Sequence, residues 1–92
     1  MIRSDLILVL SKETGFAQVD CERFLDSFTN IVKDEVANGG SVRLNGFGFF
    51  LTRVKDDYGK KITPFPVFKP GAAFIKAVKD GASKAESTYP VL

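Results

Sequence analysis

The sequence has no histidine and no tryptophan, and only one cysteine and one methionine among its 92 residues. Without histidine, the commonest general base and metal ligand is missing. The lone Cys21 excludes an intramolecular disulfide and, lacking a second ligand, offers no zinc site. Lying in a helical apolar run, it reads as a buried and inert thiol. Carboxylate pairs such as Asp34-Glu35 fall on helical surface, where solvation accounts for them. No catalytic constellation, metal site or cofactor site emerges, so an enzyme is not expected. Long hydrophobic runs are missing too. Leu6 to Leu10 is five residues long and is followed directly by Ser11, Lys12 and Glu13. That is neither a signal peptide nor the roughly 20 apolar residues of a membrane span. A cytoplasmic protein is the expectation.

What is present is apolar and unevenly charged. Hydrophobic residues make up 45% of the chain, and nine residues are Phe. A chain this short buries a small core by itself. So much apolar surface points to an oligomer in which two chains share one core. The net charge is only +2, but it is divided: residues 1–52 carry −2, residues 53–79 carry +5 and residues 80–92 carry −1. The middle block holds Arg53, Lys55, Lys60, Lys61, Lys69, Lys76 and Lys79 against Asp56 and Asp57. Such a block is the electrostatic footprint of a polyanion binder, although lysines on a helix or strand are also ordinary solvated surface.

Ser4 is placed to cap a first helix over about 4–14, with Asp5 in its first turn and Thr14-Gly15 as its stop. Leu6 to Leu10 also fits a buried strand; the cap and the glycine favour helix. A second helix spans about 18–38. Its apolar positions are Val19, Cys21, Phe24, Leu25, Phe28, Ile31, Val32 and Val36, and Asn38-Gly39-Gly40 ends it. That stripe is broad enough to face both its own fold and a second chain. The period then changes from 3.6 to 2. Strands are expected over 41–44, 47–55 and 61–68, the first two joined by Asn45-Gly46 as a type I′ turn. Pro64 and Pro66, two apart, remove amide donors from the same side, which makes the third strand an edge strand. Pro70 suits the first turn of a last helix over about 70–80, with Phe74, Ile75 and Val78 on its apolar face and Gly81 as its end. Residues after Gly81 read as a flexible tail.

The segment Val42-Arg43-Leu44-Asn45-Gly46-Phe47-Gly48-Phe49-Phe50 closely resembles the V-x-L-x-G-F-G-x-F signature of the HU and integration host factor family. Met1-Ile2-Arg3-Ser4-Asp5-Leu6-Ile7 is similar to that family's start. Val67-Phe68-Lys69-Pro70-Gly71 followed by Phe74-Ile75-Lys76 looks like its F-[RK]-P-G-x-x-[LF] segment. Three segments in register over residues 1–80 imply an α+β intertwined dimer, a homodimer or a pairing with a sister subunit, in which helices support a sheet saddle and two β-arms embrace DNA. In that dimer Phe24, Phe28, Ile31, Val32, Phe47 and Phe50 would form the shared core. The departure lies in the arm. Gly48 to Pro70 is about nine residues shorter than the pattern, and its tip, Asp56-Asp57-Tyr58-Gly59-Lys60-Lys61, lacks the wedge proline that kinks the duplex.

The resemblance implies architectural, largely non-sequence-specific binding and bending of double-stranded DNA in the nucleoid, with weaker bending than a full-armed relative. Carried over by position, the candidate contacts are Arg3 and Ser4 at the first helix, Asn45 and Gly46 at the turn, and Lys69 with the amide of Gly71 at the last helix. Arg53, Lys55, Lys60 and Lys61 lie on the arm, Lys76 and Lys79 on the last helix, and Arg43 on the strand face away from Val42 and Leu44. The alternative reading keeps the fold but makes it a protein-interaction or dimerisation module; Asp56 and Asp57 favour it and the basic block opposes it.

Overall fold

The computed structural model describes residues 1–56 and 62–84. The element order is α1 (Arg3–Thr14), α2 (Gln18–Ala37), β1 (Val42–Leu44), β2 (Gly48–Asp56), β3 (Ile62–Pro70) and α3 (Ala72–Lys84). The chain divides into two compact units, Met1–Asp34 and Glu35–Leu92. None of the described helices is long and apolar enough to cross a membrane.

In the first unit, α1 begins one residue earlier than its sequence suggested. Ile2 is the N-cap and Ser4 lies inside the first turn. The reason is Asp5, whose carboxylate reaches back to accept the Ile2 N–H at 3.0 Å. That contact fixes the start without a hydroxyl cap. The expected stop holds: Gly15 has φ 79°, which a side chain would resist, and its N–H donates to the Ser11 carbonyl. The turn into α2 is held by side chains. Ser11 Oγ donates to the Phe16 carbonyl at 2.7 Å, and the Phe16 N–H donates to Thr14 Oγ1 at 3.2 Å.

The broad stripe of α2 separates into two rows. Cys21 and Val36 are buried, and Leu25 and Val32 half-buried. Beside them Val19, Phe24 and Ile31 are each more than 60% exposed, and Phe28 is 40% exposed. Buried hydrophobic side chains among the described residues number three, Ile7, Cys21 and Val36.

In the second unit, α2 ends as expected, with Gly39 at φ 84° and the Gly40 N–H on the Glu35 carbonyl. The sheet runs β1-β2-β3, antiparallel throughout. The proline-bearing β3 is therefore an edge strand. It extends two residues further than expected, so that Pro70 closes β3 and does not open α3. Gly71 instead precedes the helix, its carbonyl accepting the Ile75 N–H at 3.0 Å.

The β1–β2 loop also differs from expectation. Leu44 pairs with Gly48, so the loop has three residues, Asn45, Gly46 and Phe47, and not the two of a type I′ turn. Phe47 is drawn out of the ladder by other partners. Its ring stacks on Phe74 at 5.1 Å and meets Phe68 at 5.3 Å, and its carbonyl accepts the Gly71 N–H at 2.9 Å. Phe50 adds to this cluster, 4.9 Å from Phe68. Helix α3 runs through Gly81 to Lys84, four residues past its expected end. A glycine costs about 1 kcal/mol inside a helix but removes no donor, so it need not stop one. Of the expected apolar face of α3, Phe74 packs in the cluster while Ile75 and Val78 stay exposed.

Candidate nucleic-acid interface

Residues opposite one another in an antiparallel pair share a face of the sheet. The register therefore sorts the strands into two sets. One face carries Val42, Leu44, Phe50, Thr52 and Phe68, and it is the packed side. Phe50 and Phe68 join the aromatic cluster there, and Thr52 Oγ1 donates to the Val36 carbonyl at the end of α2.

The other face carries Arg43 opposite Phe49, Phe49 opposite Lys69, Leu51 opposite Val67, and Arg53 opposite Phe65. Lys55 occupies the next odd position of β2, opposite Thr63. Three cations thus gather on one surface from three strands. Arg43, Arg53 and Lys69 are all exposed. The Arg43 guanidinium sits over the Phe49 ring, 5.2 Å from its centroid, which steadies the cation without neutralising it. Arg53 and Lys69 have no carboxylate partner among the described residues.

The remaining sequence candidates are distributed elsewhere. Asn45 and Gly46 are exposed at the hairpin loop, with Gly46 at φ 82°. Lys76 and Lys79 are exposed on α3, one turn apart. The Gly71 amide is a correction. The sequence suggested an unpaired donor for a phosphate, but that N–H is taken by the Phe47 carbonyl. Ser4 is exposed in the first turn of α1, and Arg3 beside it forms an ion pair with the Asp26 carboxylate. Lys60, Lys61 and Tyr58 lie outside the described residues.

Two features escaped sequence reasoning. Asp26 as the partner of Arg3 had no short-range signal, because 23 positions separate them. The apolar company of the cations, Phe49, Leu51, Phe65 and Val67, becomes visible only when the strand register is known.

Comparison with known proteins gives a consistent picture. The family profile described as "Bacterial DNA-binding protein" matches residues 1–61. The DNA-binding protein HU of Thermus thermophilus is 34% identical over 93 positions, which take in 89% of this chain and 92% of that protein. The HU of Lactococcus lactis is 34% identical over 88 positions, covering 84% and 97% respectively. Among solved structures, HU from Thermotoga maritima aligns with a TM-score of 0.69 at 28% identity, over 85% of this chain and 98% of that one.

Proposed function

The chain belongs to the bacterial DNA-binding protein family that includes HU, and we propose that it binds duplex DNA as a dimer, a homodimer or one formed with a sister subunit. Binding is architectural, associated with the nucleoid and largely indifferent to base sequence. The observation that carries this reading is the gathering of Arg43, Arg53 and Lys69 on one exposed face of the sheet. Cations on a sheet face neutralise phosphates and release counterions, and they require no base-edge recognition. Arg3 and Ser4, Asn45 and Gly46, and Lys76 and Lys79 are further candidate phosphate contacts, and Lys55, Lys60 and Lys61 add to the basic run of the arm in sequence.

The dimer is supported by what the single chain leaves uncovered. Phe24, Phe28, Ile31 and Phe47 are 40–61% exposed, and only three hydrophobic side chains are buried among the described residues. A second copy covering Phe24, Phe28, Ile31 and Val32 of the first unit, and Phe47 and Phe50 of the second, would complete what one chain starts.

The arm is short. What supports it is that the alignment with Thermus HU runs over 93 positions but takes in 89% of the 92 residues, so about eleven of its positions, wherever along the chain they fall, face no residue here. The alignment with Lactococcus HU leaves a gap of the same size. A shorter arm without a wedge proline contacts less DNA and bends it less sharply than a full-armed relative.

Titration of linear duplex at several salt concentrations tests the reading. With roughly six to eight phosphates neutralised, log K against log salt should fall with a slope of about −5 to −7. Absence of binding in dilute buffer would leave a protein-interaction module as the better account. Bending as sharp as that of a full-armed relative would overturn the short-arm inference.

A further inference from the structure

Resting on that DNA-binding reading, we propose that Phe65 is itself a DNA-contact residue. Its ring lies on the deoxyribose edge of the minor groove beside the phosphate that Arg53 holds, while Arg43 and Lys69, four positions along the strands, hold the phosphate across that groove. The cationic face is not uniformly polar. Leu51 and Val67 lie between its two cation rows, and each row itself holds a phenylalanine, Phe49 beside Arg43 and Lys69, and Phe65 beside Arg53. Phe49 is half-buried and capped by Arg43, and Leu51 and Val67 are half-buried. Phe65 differs from these three. It is 40% exposed, stands opposite Arg53, and makes no ring contact with another described residue. An apolar ring held bare beside Arg53 is placed against a polyanion that has apolar surface of its own.

The spacing selects the groove. The Arg53–Phe65 row and the Phe49–Lys69 row are four residues apart along β2 and β3. At about 3.3 Å per residue, that separates them by about 13 Å. A minor groove about 6 Å wide between phosphate surfaces is on the order of 12 Å between phosphate centres, whereas the major groove by the same reckoning is on the order of 18 Å. The two cation rows therefore bridge one minor groove. Phe65, level with Arg53, then faces the sugar C–H groups beside that phosphate at the wall of the groove, which desolvate well against a ring and poorly against a lysine.

Loss of this contact has a signature distinct from loss of a phosphate contact. In Phe65→Ala, affinity for a linear duplex should fall about tenfold at every salt concentration with the salt slope unchanged, because apolar burial releases no counterions. In Arg53→Gln the slope itself should decrease in magnitude by about one. Unchanged affinity in Phe65→Ala, or a changed slope, overturns the proposal. If that variant does not fold, Phe65→Trp provides a single reporter in a chain that otherwise lacks tryptophan. Its emission should be quenched or shifted to the blue on adding saturating duplex. Unmoved emission while anisotropy of the labelled duplex reports binding overturns the proposal as well. Failure of the wild-type chain to bind at all is a separate result, and it removes the DNA-binding reading first.

Discussion

Replacing Phe24 by alanine should break the dimer, and the size of the effect follows from the exposed ring. An aromatic side chain presents roughly 150–250 Å² for burial. With Phe24 61% exposed in the single chain, about 120 Å² remains for a partner to cover. At about 25 cal/mol per Å² that is worth about 3 kcal/mol per chain and, by two-fold symmetry, about 6 kcal/mol per dimer. Alanine keeps part of this, so Phe24→Ala should weaken association by about 4 kcal/mol, roughly a thousandfold in Kd. Phe24 also meets Phe16 edge-on at 5.9 Å, so some loss will fall within the chain. Sedimentation velocity across a concentration series separates the two effects. The variant should dissociate at concentrations where the wild type remains paired. Thermal unfolding of the wild type should shift upward with protein concentration, as it must when unfolding is coupled to dissociation. A wild-type chain that sediments as a folded monomer with a concentration-independent Tm would refute the reasoning. So would a variant that keeps the wild-type dissociation constant.

Arg43→Gln and Lys69→Gln, tested singly, should each lower the magnitude of the salt slope by about one, read by fluorescence anisotropy on a labelled duplex. Asp26→Asn releases Arg3 from its carboxylate, so affinity for duplex should rise by about two- to threefold. Because both partners of that pair are about half exposed, the stability cost should stay below about 1 kcal/mol. Gly48→Ala should destabilise by about 3 kcal/mol or more in a urea titration. Gly48 holds φ 154°, and a Cβ there would overlap the Lys69 carbonyl oxygen and lie 2.8 Å from the Phe68 ring. A wild-type urea midpoint in that variant would show that the β2–β3 approach tolerates a methyl group.

The helices were legible because their stops are chemical. Gly15 and Gly39 sit at positive φ where the sequence suggested helix ends. The misplaced boundaries share a physical origin, namely partners distant along the chain or choices that local pattern leaves open. Ser4 and Asp5 both offer a capping oxygen, and the carboxylate three positions after Ile2 prevails. Pro70 tolerates a strand end as readily as a helix start, and the ladder claims it through Gly48. For the candidate interface, the basic block could be counted from the sequence, but its geometry could not. Had the Asn45-Gly46 loop contained two residues, Leu44 would pair with Phe47. A one-residue slip would then send Arg43 to the face opposite Arg53 and Lys69. The third loop residue is Phe47, and what holds it outside the ladder is the aromatic cluster with Phe68 and Phe74 together with the Gly71 amide. A core packing choice thus decides where a surface cation goes.

The prolines of β3 fall at positions 64, 66 and 70, all on the same alternation of the strand. On its outward side the strand offers carbonyl oxygens with hardly any amide hydrogens to match. A foreign extended segment approaching that margin would find half of its hydrogen-bond needs unmet. The opposite margin, β1, is three residues long and gives little purchase. A protein with this much uncovered phenylalanine is a natural candidate for fibril growth by strand addition, and both borders of its sheet are closed to that route.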